Sequence, residues 1–405
     1  AAIAATTGGC TSSTAPADPP NDVGEVATPL RCAAPELTQP SRATTDGAIA
    51  RQNLDAMIDG RRKLVEARPA DLNPRVILVG LLLERTQYGG TFDDFDEAYV
   101  HADEAVTRHP EDGRSHLLLA RVHTAVHEFD AALEALDAAG EVDGAADLRL
   151  TIQLARGEAL DEVVDARRRA VDAAPSFRSH ASLAAALAAV GQFEEADASY
   201  VAALEAYPDV SPLPFAWTAF QRGVMWAEMA DEAERGCALY SEGVARLPSY
   251  VVATTHLSEL ESEGTLDAAI ARMRGVVDET SDPEAPGFLG ELLLIRNPDD
   301  AEAPDRIAAA RARYDELLAS YPLAFADHGA EFFMGPGADP ERALELAVRN
   351  LDNRENDRAY AIAIEAALAA NRPEMACTFA AAAGPNRANV GLAALVAEVT
   401  ADCAR

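Results

Sequence analysis

Between Phe177 and Pro208 the chain runs through one apolar helical stripe, stops, and runs through a second. Leu183, Ala184 and Leu187 recur at helical spacing, Gly191 breaks the run, and Ala196, Tyr200 and Ala203 follow three and four residues apart before Pro208 ends the unit. This pattern predicts a pair of antiparallel helices joined by a tight turn. A pair of that size cannot cover its own apolar face, so a chain built of such pairs must stack them. Helix-ending prolines recur at Pro110, Pro175, Pro208, Pro248 and Pro322, near multiples of about 34 residues, which extends the pattern along most of the chain.

The unit resembles the tetratricopeptide repeat. That family asks for a small residue where the helices cross, a turn Gly, a small residue early in the second helix, an aromatic one turn later and a closing Pro. Ala184, Gly191, Ala196, Tyr200 and Pro208 stand at those places. Second-helix signals recur at Ala98/Ala102/Ala105, Ala132/Leu136/Ala139, Cys237/Tyr240/Val244, Ala269/Met273/Val276 and Ala310/Tyr314/Leu317. The resemblance implies an all-α fold, a right-handed α-solenoid of about nine helical hairpins filling 44–405. In this register the hairpins cover 74–110, 113–140, 144–175, 177–208, 214–248, 250–281, 285–322, 324–351 and 357–383, with a last helix over 388–403 and a further helix from Asp46 to Arg68. Proline-rich stretches near 209–214 and 282–287 are candidate hinges. The expected shape is an extended array with an open concave side suited to extended ligands. The stretch containing Phe325 to His328, on to Asn350-Leu351, faintly resembles other bacterial proteins of this family, with no function attached.

The charge balance is 34 basic against 67 acidic residues, a net of −33, and Lys63 is the only lysine. A polyanion would be repelled, and no basic stripe with interleaved aromatics offsets that field, so nucleic acid is excluded as a partner. The five cysteines, at 10, 32, 237, 377 and 403, form no C-x-x-C pair. With Cys10 set aside, Cys32, Cys237, Cys377 and Cys403 suffice for two disulfides in an oxidising compartment, in a pairing the sequence leaves open. Residues 1–10 end in Gly8-Gly9-Cys10 after a short apolar run. They resemble the cleavage box of a bacterial lipoprotein signal, although Thr7 stands where such boxes usually carry Leu. The resemblance implies lipidation of Cys10, and residues 11–43 read as a flexible tether rich in Ser, Thr, Ala and Pro. The expected location is the periplasm or outer membrane, with secretion as the alternative, and membrane contact only through the lipid.

The candidate binding residues follow from the repeat register. In this family one face of each first helix lines the groove, and Arg114, Arg121, Arg156 and Arg178 fall on it. They resemble a carboxylate clamp, which implies recognition of the acidic end of a protein or peptide. An alternative apolar pocket gathers Trp217, Met225, Trp226 and Met229, with buried packing as the competing reading. His116, His123 and His127 share one helix face but lack a carboxylate at ligand spacing, so they read as packing residues and no metal or other cofactor is expected. No G-x-S-x-G, H-E-x-x-H, G-x-x-x-x-G-K-[ST] or strand-borne G-x-G-x-x-G occurs. The chain is therefore read as a non-enzymatic interaction scaffold, the alternative being a small-molecule-binding accessory of a periplasmic transport system.

Overall fold

The computed structural model describes Cys32, residues 43–385 and residues 387–404. Cys10 and nearly all of the tether lie outside the described residues. The chain opens with α1 (Gly47–Ala67), α2 (Leu72–Gly89), α3 (Asp94–Arg108), α4 (Gly113–Ala125), α5 (Phe129–Ala139), α6 (Ala145–Arg156) and α7 (Leu160–Ala173). It continues through α8 (Phe177–Ala189), α9 (Phe193–Ala206), α10 (Leu213–Val224) with a π turn at Met225–Met229, α11 (Ala233–Arg246) and α12 (Val251–Arg274). It closes with α13 (Glu284–Arg296), α14 (Ala303–Ser320), α15 (Ala326–Met334), α16 (Pro340–Asn353), α17 (Asp357–Ala369), α18 (Pro373–Ala383) and α19 (Val390–Cys403). No strand occurs among the described residues.

The hairpins stand where the periodicity places them. In the pair α8 and α9, Ala184 and Ala196 are fully buried at the crossing, Tyr200 is buried a turn later, and Gly191 makes the turn with φ +76°. Ser176 caps α8 through a reciprocal bond with Ser179. The pair predicted over 250–281 is present within α12, whose two helical arms meet at a kink at Thr265, where a φ of −141° and ψ of 51° leave the helical region. In the other turns between paired helices, the left-handed conformation is taken by His127, Asp231, Ala338 and Asn371 as readily as by Gly90 or Gly191.

The expectation of an extended, open array is corrected by the path of the chain. Helices α13 to α19 do not continue outward. Residues of α14 to α19 and the segments between the second-turn helices meet α1 to α6 and their ends, so the superhelix rests on its own first turn. One core cluster therefore joins Leu82 and Leu118 of the first turn to Tyr314, Phe333, Ile364 and Val396 of the second.

The physical reason is found at the ends of the first-turn helices. A terminating helix leaves its last carbonyls without intrahelical donors. Here the second turn supplies them. Thr280 Oγ1 donates to the carbonyl of Gly89 at 3.1 Å and Ser281 Oγ to that of Gly90 at 2.7 Å. Asn353 Nδ2 donates to the His127 carbonyl at 3.0 Å, Asn356 Nδ2 to Ala155 at 2.9 Å, and the Glu355 amide to Arg156 at 3.1 Å. The side-chain contacts at Gly90 and Ala155 span 191 and 201 residues, the length of one superhelical turn. Ion pairs from Arg313 to Asp93 and from Arg51 to Glu279 flank this seam. The two candidate hinge segments are tied down: the Val210 carbonyl accepts from the Thr45 amide at 2.8 Å, and Ser281 and Asp282 sit on Gly90.

Two disulfides complete the frame. Cys32 pairs with Cys237 on α11, and Cys377 of α18 pairs with Cys403 of α19.

A Cβ at Gly157 (φ +74°) would lie 2.8 Å from the Glu355 carbonyl oxygen of the second turn, whereas one at Gly191 would meet only ordinary contacts at 3.5 Å or more. Gly191→Ala should therefore cost about 1 kcal/mol from the left-handed backbone alone, and Gly157→Ala about 3 kcal/mol because the second turn must also shift. Urea unfolding of both variants checks this; equal costs would contradict the seam.

Candidate functional site

The four arginines drawn from the repeat register divide into two pairs. Arg114 is spent at the surface, where its guanidinium meets Asp112 at 2.6 Å and Asn73 at 3.2 Å. Arg156 closes α6 and pairs with Asp130 and Glu158, both at 2.7 Å. Arg121 and Arg178 differ, having no ion-pair partner among the described residues. Arg121 of α4 lies over the start of α6, near Gly144. Burial lowers its pKa and the charge of Arg178 lowers it further, against the opposing fields of Asp147 and Asp143. The structure thus brings Arg121 and Arg178 into one another's field and leaves Arg114 and Arg156 apart.

Trp217, Met225 and Trp226 are buried in the cluster formed by α7, α8 and α9, with Met229 packed at its edge. Trp217 stands edge-on to Tyr200 and Phe177, and the Trp226 indole N–H donates to Asp197 at 2.9 Å. Arg235 covers the Trp226 ring. Two clefts lie elsewhere, one of about 470 Å³ lined by Leu294, Ile307 and Arg311, the other of about 410 Å³ beside Val348 and Arg349. The histidines separate as well. His116 binds the Pro110 carbonyl at 2.8 Å, His123 Nδ1 meets Glu128 at 2.7 Å, and His127 stacks on Phe129. No grouping of His, Cys, Asp or Glu able to hold a metal occurs among the described residues.

Sequence reasoning missed a buried cluster of charge on the inner side of the second turn. Glu228, carried inward by the π turn, accepts from His256 Nδ1 of α12 at 2.8 Å and from the Tyr240 hydroxyl at 2.5 Å through one oxygen. Asp327 of α15 receives Arg354 at 2.5 Å and Arg358 of α17 at 3.3 Å, and Arg358 also holds Glu331 at 2.7 Å. His328 lies 3.5 Å from Glu284 of α13 and 3.7 Å from Glu331. The signal for these residues is inward positions on successive first helices, with partners about one repeat apart.

The electrostatics follow the pairing. Although burial opposes it, the charges of His328, Arg354 and Arg358 hold Asp327 far below the usual carboxylate range. Burial lowers His256, but Glu228 and Glu259 outweigh it and raise the imidazole to about 9. Carboxylates without a full counter-charge go the other way. Burial pushes Asp282 up to about 6 and Glu331 to about 7; burial and the nearby Glu331 push Glu365 to about 8. Each of these raised acids stays protonated in the fold while the unfolded chain ionises from pH ~4.5 upward. Their contribution is therefore complete in acid and lost as pH rises through 6 to 8. His256 adds a loss between pH ~6.5 and 9. The melting temperature should peak near pH 5 and fall toward pH 8.5, and Glu331→Gln with Glu365→Gln should flatten that fall. Scanning calorimetry across this range checks both, and a flat wild-type profile would contradict the assignment.

Stacked helical hairpins with no sheet among the described residues define this molecule as an α-helical repeat protein. The model of the tetratricopeptide repeat matches residues 92–150, from the start of α3 into α6, which supports a protein of that superfamily. Solved structures similar to this chain match it at low identity. A complex of Naa15/Naa10 bound to HypK-THB is 12% identical over 83% of this chain and 63% of that one, with a TM-score of 0.30. A human IFIT1 dimer with PPP-AAAA is 13% identical over 82% and 68%, with a TM-score of 0.36. A monomeric IFIT1 mutant with m7Gppp-AAAA is 12% identical over 81% and 66%, with a TM-score of 0.36. The chain spans about two thirds of the length of these structures. No curated protein sequence matches it.

Proposed function

We propose that this chain is a non-enzymatic protein-interaction scaffold of the bacterial envelope, held at the membrane through a lipid on Cys10, which grips the acidic end of a partner peptide between Arg121 and Arg178. The observation that carries this reading is that pair of guanidiniums without carboxylate partners, on first helices of the same turn, in a chain of net charge −33. A guanidinium fork matches a carboxylate in two hydrogen bonds, and two forks set near one another match a chain terminus followed by an acidic side chain. Clustering of like charge is unfavourable in the empty protein, so an anionic ligand relieves it on binding.

The envelope location draws support from the cysteines. Cys32, Cys237, Cys377 and Cys403 are consumed in two disulfides, which persist in oxidising compartments, and Cys10 is the cysteine left over for a lipid. No helix among the described residues is long and apolar enough to cross a membrane, so attachment through a lipid fits the fold.

Fluorescence anisotropy with peptides ending in two acidic residues tests the clamp. Arg121→Glu combined with Arg178→Glu should weaken binding at least tenfold, about 1.4 kcal/mol, while Arg114→Glu combined with Arg156→Glu stays within twofold. Equal losses in both doubles, or no binding by the parent chain, would remove the clamp. Mass spectrometry of the protein recovered from membranes tests the anchor: an unmodified Cys10 contradicts it.

A further inference from the structure

Among the described residues α1 opens the array, and it buries one side of itself through Leu54, Ile58 and Val65. The opposite side presents Ile49, Asn53, Ala56, Met57, Gly60 and Lys63, which fall at helical spacing and are all exposed. No acidic residue interrupts that stripe, although the chain holds 67 acidic residues against 34 basic ones. Ile49 and Met57 are 50% and 51% exposed, and no other helix among the described residues exposes two large apolar side chains in this way. Val100 of α3, 55% exposed, lies one turn from Glu97, which holds Arg62 of α1 at 2.6 Å, so it widens the same surface. The end of a helical repeat array normally turns a polar face to water. This one does not.

Gly60 is an independent observation. Glycine inside a helix is disfavoured against alanine, and a Cβ placed at Gly60 would meet nothing within 4 Å. Packing within the chain therefore does not call for it. With Ala56 one turn earlier, it leaves a notch where the backbone of another helix can come close.

Charge selects the helix that fits there. Along α1, Asp55 and Asp59 precede Gly60, while Arg61, Arg62 and Lys63 follow it. Arg62 is divided between Asp59 and Glu97, which leaves the Asp59 side chain 64% exposed and open to a second cation. Lys63 has no carboxylate partner among the described residues. A helix whose charge changes sign at one point is complementary to a copy of itself laid antiparallel across that point.

We propose that the outer face of α1 is an interface between two copies of this chain, the two α1 helices lying antiparallel and crossing at Gly60. Asp59 of each copy then faces Lys63 of the other, Met57 lies along the aliphatic stem of the opposite Lys63, and Ile49 covers the opposite helix end. The helix, 21 residues long, extends about 32 Å. A pair of that length covers less than the about 800 Å² per partner of a stable complex. The dimer is accordingly weak, with a dissociation constant on the order of 10–100 µM, and the chain is a monomer when dilute. This surface is separate from the arginine clamp and does not rest on it.

Sedimentation velocity of the full chain from about 5 to about 500 µM reads the association. The weight-average mass should rise from 42.8 kDa toward twice that value. Met57→Glu, at an exposed position that leaves the fold intact, should weaken the dimer at least tenfold, about 1.4 kcal/mol. Lys63→Asp should weaken it as well, and Asp59→Lys combined with Lys63→Asp in one chain should restore it, because the exchanged charges meet again across the two-fold axis. Lys63 is the only lysine, so carbodiimide coupling of a mixture of isotopically labelled and unlabelled protein should give a dimer joined through Lys63 of one copy and Asp59 of the other. A constant mass of 42.8 kDa over the whole range, a dimer indifferent to Met57→Glu, or a charge exchange that fails to restore association overturns the proposal. In the first case, protection of Met57 from peroxide oxidation would assign the cover to another segment of the same chain.

Discussion

The carbonyls left open at the ends of α2, α4 and α6 decide what kind of solenoid this chain makes. A helical hairpin repeat has two ways to satisfy such groups, with water along an open array or with another part of the protein. Here Thr280, Ser281, Asn353 and Asn356, together with the Glu355 amide, provide the donors. Each bond contributes modestly on its own, about 1 kcal/mol. Their effect is cumulative because they recur at successive hairpins in step, and they hold two apolar surfaces together along their whole length.

Neighbouring hairpins build the inner face of the second turn. Asp327 gains Arg354 and Glu228 gains His256 from hairpins about one repeat away, while burial leaves Glu331 and Glu365 without full counter-charge. The same packing therefore pairs some inner acids closely and leaves others short of charge. Small residues make the approach possible: Gly90 and Gly157 sit where any side chain would strike the second turn. The repeat turn and the seam thus place the same demand on one residue.

The hairpins were legible because their signal is local. Ala184, Gly191, Ala196 and Tyr200 lie within one repeat, and the structure buries or turns them as their spacing implies. Turns at His127, Asp231, Ala338 and Asn371 carried no comparable mark, since a left-handed residue other than Gly looks ordinary in a sequence. The break at Thr265 was hidden in the same way. Closure was illegible for a different reason. Asn353 and Asn356 resemble routine cap residues, and Asn356 does cap α17 through Ala359, but their other partners lie some two hundred residues earlier. The buried cluster was illegible because among 67 acidic residues nothing local separates Glu331 from a solvated neighbour. Of the candidate binding arginines, register alone picked four, and only contacts could show that Arg114 and Arg156 are already engaged.

Small-angle X-ray scattering of the full chain in dilute solution tests the stacking of one superhelical turn on another most directly. A body of this length folded upon itself has a radius of gyration of about 21 Å, with a single compact maximum in the pair-distance distribution apart from the contribution of the N-terminal segment. A value half as large again, with the long linear tail of an extended rod, would show that the two turns lie apart and would contradict the closed superhelix.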